Sequence, residues 1–279
     1  MTAPATAPLA SIVIRTKDEG DSIGRLLEIL QSQTIADRLE LIVVDSGSTD
    51  TTVAIARERG VEPIEIPAAS FTFGGALNTG CEVASAPLIV ALSAHAFPHD
   101  DGWAERMVAA FADERVACAC GDPLQPDGRP LADPVLQDAE HARRHPFWGY
   151  SNAAGGFRAE LWRQRPWRAD MPGTEDKEWA WKWLQEGWLV RIDPELLVDH
   201  DHSHDPWRST YERSRREWVG YAMYLDLEPF PLRAALRRWW SDRDGHANAA
   251  RARLSPWRAA RIAGEWAGRR RGAGLKQQQ

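Results

Sequence analysis

Four apolar, largely β-branched runs constrain this chain more than any other feature, because each ends in polar residues and gives way to a helical period. "ASIVIRT" (10–16), "LELIVVD" (39–45), the short "VEPIEI" (61–66) and "APLIVALSAHA" (86–96) are continuous in the manner of strands covered on both faces. Between the first two lies "DSIGRLLEILQSQ", with Ile23, Leu26, Leu27 and Leu30 at helical spacing and Asp21 or Ser22 as its cap. "DTTVAIARERG" is a second helix, capped by Ser48 or Thr49, "GGALNTGCEVA" is a small-residue helix, and residues 101–113 form another before the strand "RVACACG". The alternation predicts an α/β fold with a Rossmann-like, doubly wound sheet that binds ligands at the carboxyl ends of its strands. Thr16, Lys17 and Glu19 follow the first run, Asp45 and Ser46 the second and His95 the fourth, where that rule places a site. The sequence contains neither GxGxxG nor GxxxxGK[ST], which excludes the usual dinucleotide enzymes and P-loop NTPases.

Beyond the alternating region the pattern loosens. Residues 122–150, rich in Pro, Asp and Arg, read as an irregular connection over the site. "GYSNAAGGFRAELW" (149–162) reads as a turn, a short strand and a helix start. "GTEDKEWAWKWLQEG" is a helix opened by acidic residues, and "LVRIDPELLVDHDHSH" gives two short strands broken at Pro194. Arg- and Trp-rich helices follow, ending in "RRRGAGLKQQQ", a segment expected to be disordered.

Composition narrows the function classes. A net charge of −6 argues against a nucleic-acid binder. From Pro231 to Gln279, however, eleven Arg and one Lys face two Asp and one Glu, so this stretch carries +9 and the remainder −15. An acidic body with a basic tail suggests peripheral contact with an anionic membrane. Cys81, Cys118 and Cys120 fit no disulfide framework or zinc spacing and read as small buried residues. No signal peptide opens the chain and no apolar run approaches the roughly 20 residues of a membrane span, so the expected location is cytoplasmic, at the inner face of the membrane. Of the 14 tryptophans, Trp179 and Trp183 share a helix face. Trp183 reads as core, while Trp179 and Trp181 are either core or the lining of a sugar groove.

The segment "LVDHDHSHDPW" places His200, His202 and His204 at alternate positions, on one side of any extended chain. Imidazole is a common metal ligand, so the stretch is either a metal site or a solvated loop.

Together, "SIVIRTKDEG", "LIVVDSGSTD", "FGGALNTG", "LIVALSAHAFPHDDGW", "SNAAGGFRAELW", "GTEDKEWAWKWLQEGW" and "VDHDHSH" resemble the inverting glycosyltransferases of family 2, in the family's order and over about residues 10–205. The nearest resemblance is to the rhamnosyltransferase-like bacterial branch that builds surface polysaccharides. It implies a GT-A fold in residues 1–205, followed by a basic helical extension in 206–279. It also implies a nucleotide-diphosphate sugar as donor and a glycan or lipid-linked hydroxyl as acceptor. Asp45 would contact the nucleotide base, with Thr16 and Glu19 along base and ribose and Asn78 close by. The alternative for Asp45 is a turn residue. Asp176 in "TED" would be the general base that takes the acceptor's proton, and Glu175 would place the acceptor or tune Asp176. A bland alternative is a first-turn acidic pair that favours the helix dipole.

The chain departs from the family at the D-x-D motif that holds the metal, which is replaced by Ser93-Ala94-His95. A departing diphosphate still has to meet positive charge. Either His95 and His202 hold a divalent cation, Mn²⁺ in preference to Mg²⁺ because imidazole suits it better, or His95, Arg15, Lys17 or a tail arginine serves without metal. The lost motif also motivates a second class of function, a non-catalytic nucleotide-sugar-binding scaffold. A nucleotidyltransferase would need a Gly-rich basic signature after the first strand, and "RTKDEG" is a poor substitute.

Overall fold

A computed structural model describes residues 7–200, 205–228, 230–241 and 254–276. It divides into two compact units, one of residues 1–169 and 179–200, the other of 170–178 and 201–279. The second unit therefore takes Asp170–Glu178 as well as the C-terminal segment, whereas the sequence reading left that stretch in the first domain.

In the first unit the apolar runs become strands, since residues that alternate across a strand can fill two layers at once. In chain order the elements are β1 (Ala10–Thr16), α1 (Ile23–Gln31), β2 (Leu39–Asp45), α2 (Thr52–Glu58), β3 (Ile64–Glu65), α3 (Phe73–Val83), β4 (Leu88–Ser93), β5 (Phe97–Pro98), α4 (Trp103–Ala109) and β6 (Val116–Cys120). β7 (Val135–Gln137), α5 (Ala139–Arg144), β8 (Ala154–Arg158), α6 (Ala159–Gln164), α7 (Glu175–Gln185), β9 (Leu189–Ile192) and β10 (Val198–Asp199) follow. Among the described residues eight strands form one sheet in the order β3-β2-β1-β4-β8-β6-β9-β7, and β5 and β10 form a separate ribbon. β1, β2, β3 and β4 run parallel, while β8 is antiparallel to both β4 and β6.

Ile12, Ile14, Val43, Val90 and Leu92 pack to one side with Ile23, Leu26, Leu27 and Leu30 of α1. Val13, Ile42, Val44, Ile89 and Ala91 pack to the other with Leu77 of α3. Burying each such side chain is worth about 1.5–3 kcal/mol, so these two faces account for the sheet's position in the middle. The small residues of α3 have a specific cause. A Cβ on Gly80 would lie 2.3 Å from Val13 Cγ1, so the helix rests directly on β1.

Several expectations change. The helix after β2 is capped by neither Ser48 nor Thr49. Asp50 instead accepts from Thr52 N at 3.0 Å, and Ser48 turns back to Asp45. Residues 122–150 are more regular than their composition suggests, because β7 pairs antiparallel with β9 and closes that edge of the sheet. Trp179 lies in the core with Trp167 and Phe157, its ring 4.7 Å from that of Trp167 and its Nε1 donating to Arg165 O at 2.6 Å. Trp183 belongs to the same core and Trp181 packs partly buried against it, so these rings are structural. Cys81, Cys118 and Cys120 are buried and are not joined in disulfides.

The second unit contains α8 (Trp207–Tyr224), α9 (Leu232–Ser241) and α10 (Pro256–Lys276). Helix α10 runs to Lys276, well into the stretch expected to be disordered. Cβ atoms on Gly264, Gly268 and Gly272 would come within 2.7, 2.6 and 2.4 Å of α8, so this glycine edge lets the two helices close on each other. Arg269 then stacks on Trp218 at 4.1 Å and donates to Glu265 at 2.7 Å, giving the basic end a tertiary anchor. No helix among the described residues is long and apolar enough to cross a membrane.

Candidate active site

In the first unit, the register Thr16↔Asp45 and Arg15↔Ser93 sets the carboxyl ends of β1, β2 and β4 in one row. The loops beyond them are stitched together. Asp18, at φ 51°, accepts from Thr49 N at 2.7 Å and donates its own N–H to Ser48 Oγ at 2.8 Å. Glu19 N donates to Thr52 Oγ1 at 2.7 Å, which fixes where the Glu19 side chain starts. The Oγ atoms of Thr16 and Ser46 are buried with no hydrogen-bond partner among the described residues. Such hydroxyls are costly to leave unsatisfied, so they favour a polar ligand at this edge. The exposed Lys17 ammonium lies 3.3 Å from Gly47 O.

Glu19 Oε1 meets His95 Nδ1 at 2.7 Å, and Glu19 Oε2 accepts from Ser22 Oγ at 2.6 Å. Burial acts to raise the Glu19 carboxyl, but the bonds from His95 and Ser22 outweigh it and hold the group below the usual range. With Nδ1–H given to the carboxylate, His95 Nε2 keeps its lone pair. That atom faces His200 Nε2 at 3.1 Å. The pairing Asp199↔Phe97 in the β5/β10 ribbon is what carries His200 back to the end of β4.

The sequence-predicted residues therefore take differing places. Thr16, Lys17, Glu19, Asp45, Ser46 and His95 all lie along this edge, and the side chains of Glu19 and Asp45, with that of Asn78 on α3, are bonded within the protein. Glu19 bonds His95 and Ser22. Asp45 is almost fully buried, and its carboxylate accepts from Gly47 N at 3.0 Å, Ser48 N at 2.9 Å and the Ser48 hydroxyl, which is the turn role set against base contact. Asn78 accepts from Trp162 Nε1 at 2.9 Å and Trp167 N at 3.0 Å and donates to Trp167 O at 2.9 Å, so it braces residues 162–167. Arg15 likewise reaches the carbonyls of Phe73 and Asn152, both at 3.3 Å. Of the alternating histidines, His200 meets His95. His202 and His204 lie outside the described residues.

In the second unit, Thr174 at φ 61° turns the chain into α7, where Glu175 is 4% exposed and Asp176 is partly exposed. Asp176 Oδ1 accepts from Lys177 N at 2.7 Å. Gly220 of α8 fits against this turn so closely that a Cβ would lie 2.1 Å from Thr174 Oγ1 and 2.2 Å from Gly173 O. Glu217, Tyr221 and Tyr224 follow one face of α8 and feel the charge of Asp176. Burial pushes the Glu217 carboxyl up, Arg213 and Lys177 pull it down, and Asp176 adds to the rise. The sequence reading missed Glu217 and Gly220. Their signal was present as an acidic residue and a glycine on the helical face of Tyr221 and Tyr224.

Residues 11–174 match the family model described as Glycosyl transferase family 2. The chain belongs to this family. It is a glycosyltransferase, and its mixed sheet and helices are those of the GT-A fold. The family 2 chain is 26% identical to the O-antigen chain rhamnosyltransferase RfbN of Salmonella typhimurium over 229 residues, covering 73% of this chain and 69% of that protein. In structure it is similar to the mannosyltransferase PcManGT from Pyrobaculum calidifontis in complex with GDP-Man and Mn²⁺, with a TM-score of 0.64 and 19% identity over 98% of this chain and 75% of the other. It is also similar to S. aureus TarS 1-349 in complex with UDP-GlcNAc, with a TM-score of 0.55 and 15% identity over 82% of this chain and 69% of the other.

Proposed function

We propose that this enzyme is an inverting transferase that moves a hexosyl or deoxyhexosyl group from a nucleotide-diphosphate sugar to a hydroxyl of a glycan or lipid-linked acceptor in cell-surface polysaccharide synthesis. The observation that carries the reading is the row Glu19–His95–His200 beside the unsatisfied hydroxyls of Thr16 and Ser46, at the sheet edge where a donor nucleotide binds. The naming of RfbN as a rhamnosyltransferase, and the donors held by PcManGT and TarS, support it.

The two imidazoles fit a divalent cation. His95 Nε2 and His200 Nε2 are 3.1 Å apart, close enough for both to reach one cation. Glu19 behind His95 supplies the carboxylate that orients a ligating histidine. Among the described residues no group of three or more His, Cys, Asp or Glu could hold a metal, and a cation held by these two histidines would need further ligands such as the oxygens of the donor diphosphate. When bound, the cation supplies positive charge to the departing diphosphate, and imidazole ligands favour Mn²⁺ over Mg²⁺. His200 joins His95 in this reading, and His202, the second ligand expected from the sequence, lies outside the described residues.

Thr16 and Ser46 hydrogen-bond the nucleoside, and Lys17 adds charge near the phosphates. Asp176 accepts the acceptor's proton as its oxygen bonds to the anomeric carbon. The bond from that carbon to the diphosphate breaks with its electron pair, and the nucleoside diphosphate leaves. Glu175 places the acceptor or tunes Asp176. The basic C-terminal segment holds the enzyme to the inner face of an anionic membrane.

The test is release of nucleoside diphosphate from uridine, thymidine and guanosine sugars, with Mn²⁺ and with chelator. Turnover of one donor, raised by Mn²⁺, is expected. Failure to bind any of these donors would overturn the reading.

A further inference from the structure

Helix α9 leaves a row of large apolar side chains facing water. On the inner side, Ala235 is buried and Arg238 pairs with Glu265 of α10. Arg258 of α10 donates to the carbonyls of Arg238, at 2.7 Å, and Trp239. On the outer side, Leu232, Leu236 and Trp240, four residues apart, are 56%, 55% and 61% exposed, and Arg233 and Arg237 beside them are exposed too. A surface helix of a water-soluble domain ordinarily buries such an apolar row against its core.

We propose that the outer face of α9, formed by Leu232, Leu236 and Trp240 with Arg233 and Arg237, docks this protein on an anionic phospholipid surface. This rests on the reading of the acceptor as membrane-side and adds to it the face that makes the contact. Leucines on such a face enter the acyl boundary, a tryptophan at its end sits at headgroup level, and flanking arginines meet lipid phosphates. The charge selects the occupant. Residues 231–279 carry eleven Arg and one Lys against two Asp and one Glu, so a second copy docking by this same face would bring like charge to like while an anionic bilayer brings the opposite.

The experiment is co-sedimentation of the full chain with vesicles of phosphatidylcholine alone and of phosphatidylcholine mixed equally with phosphatidylglycerol. Binding is expected on the mixed vesicles only, and salt should weaken it. Leu236→Asp and Trp240→Asp should each lower the partition roughly ten- to hundredfold, the loss expected when one large apolar side chain no longer leaves water. Both should keep the parental Tm and donor turnover in vesicle-free buffer. Absence of binding to the mixed vesicles, or undiminished binding by the folded double variant, overturns the proposal. So does a dimer that sediments without lipid and is abolished by Leu236→Asp, since that assigns the face to self-association. Vesicle binding without turnover of any donor would leave the docking face standing and remove the proposed transferase reaction.

Discussion

His95 and His200, more than a hundred positions apart in sequence, present their Nε2 atoms to one another at 3.1 Å, with Glu19 held against the far nitrogen of His95 at 2.7 Å. A hydrogen bond between two imidazole nitrogens needs a proton on one of them and a lone pair on the other. The carboxylate sets that polarity, because it accepts a hydrogen bond from His95 Nδ1–H and so favours the tautomer whose Nε2 is the acceptor. A cation bound by both rings, as proposed, would take the place of the shared proton.

Metal affinity is therefore expected to depend on Glu19 as well as on the two histidines. Glu19→Gln should weaken Mn²⁺ binding by about 10–100-fold, the usual effect of removing a carboxylate behind a ligating histidine. His200→Ala should weaken it at least as much. Isothermal titration of the apo protein with Mn²⁺, in the presence of a nucleoside diphosphate, measures both. Equal affinity in all three proteins would remove the metal from this pair.

Asp176→Asn should lower sugar transfer by about 10²–10⁴-fold, the range for loss of a general base, while leaving nucleotide binding near the parental value. Single-turnover transfer together with nucleoside diphosphate titration separates the two effects. A variant that transfers sugar at the parental rate would place the base elsewhere.

Gly220→Ala sets two effects against each other. Alanine gains up to about 1 kcal/mol in a helix interior. Its Cβ would meet Thr174 Oγ1 at 2.1 Å and backbone Gly173 O at 2.2 Å, and overpacking of this kind costs about 1–3 kcal/mol. Overpacking should win, because the obstacle includes main chain in a left-handed turn, at Thr174 φ 61°, that has little room to retreat. A lower Tm than the parent is expected, with reduced transfer because Asp176 follows that turn.

Glu217 should make the pH dependence of stability measurable. Its carboxyl is raised from the ordinary value of 4.5, chiefly by burial and further by Asp176. The folded state therefore binds a proton more readily than the unfolded chain over the interval that begins near 4.5 and ends at the raised folded value. Stability from this group is full below that interval and is lost as pH rises through it. Glu217→Gln removes the titration, so its Tm relative to the parent should improve from pH 4 to pH 7. A constant difference across that range would show that Glu217 ionises as freely in the fold as in the unfolded chain.

Much of the first unit was legible in advance, because its determinants are local. Ile23, Leu26, Leu27 and Leu30 lie on one helix face at any position in space, and all four are buried. The alternation of Ile12 and Ile14 with Val13 already specifies two opposed layers. The order of the polar strand ends was legible for the same reason. The commitments of those side chains were not. Glu19 could face a ribose or a histidine, Asp45 a base or its own turn, and Asn78 a donor or the backbone of Trp167. Each choice turns on a partner brought close by another loop.

The sequence by itself determined that parallel strands would carry polar residues to one edge of a sheet, because hydrophobic period and strand polarity are properties of short segments. It also determined that a basic, tryptophan-rich segment would follow. Only tertiary structure decided that His200 meets His95, through the β5/β10 pairing, and that α10 stays helical to Lys276, through a glycine edge pressed against α8. Contacts between distant segments are fixed by which surfaces the packed fold brings together, and spacing along the chain does not encode them.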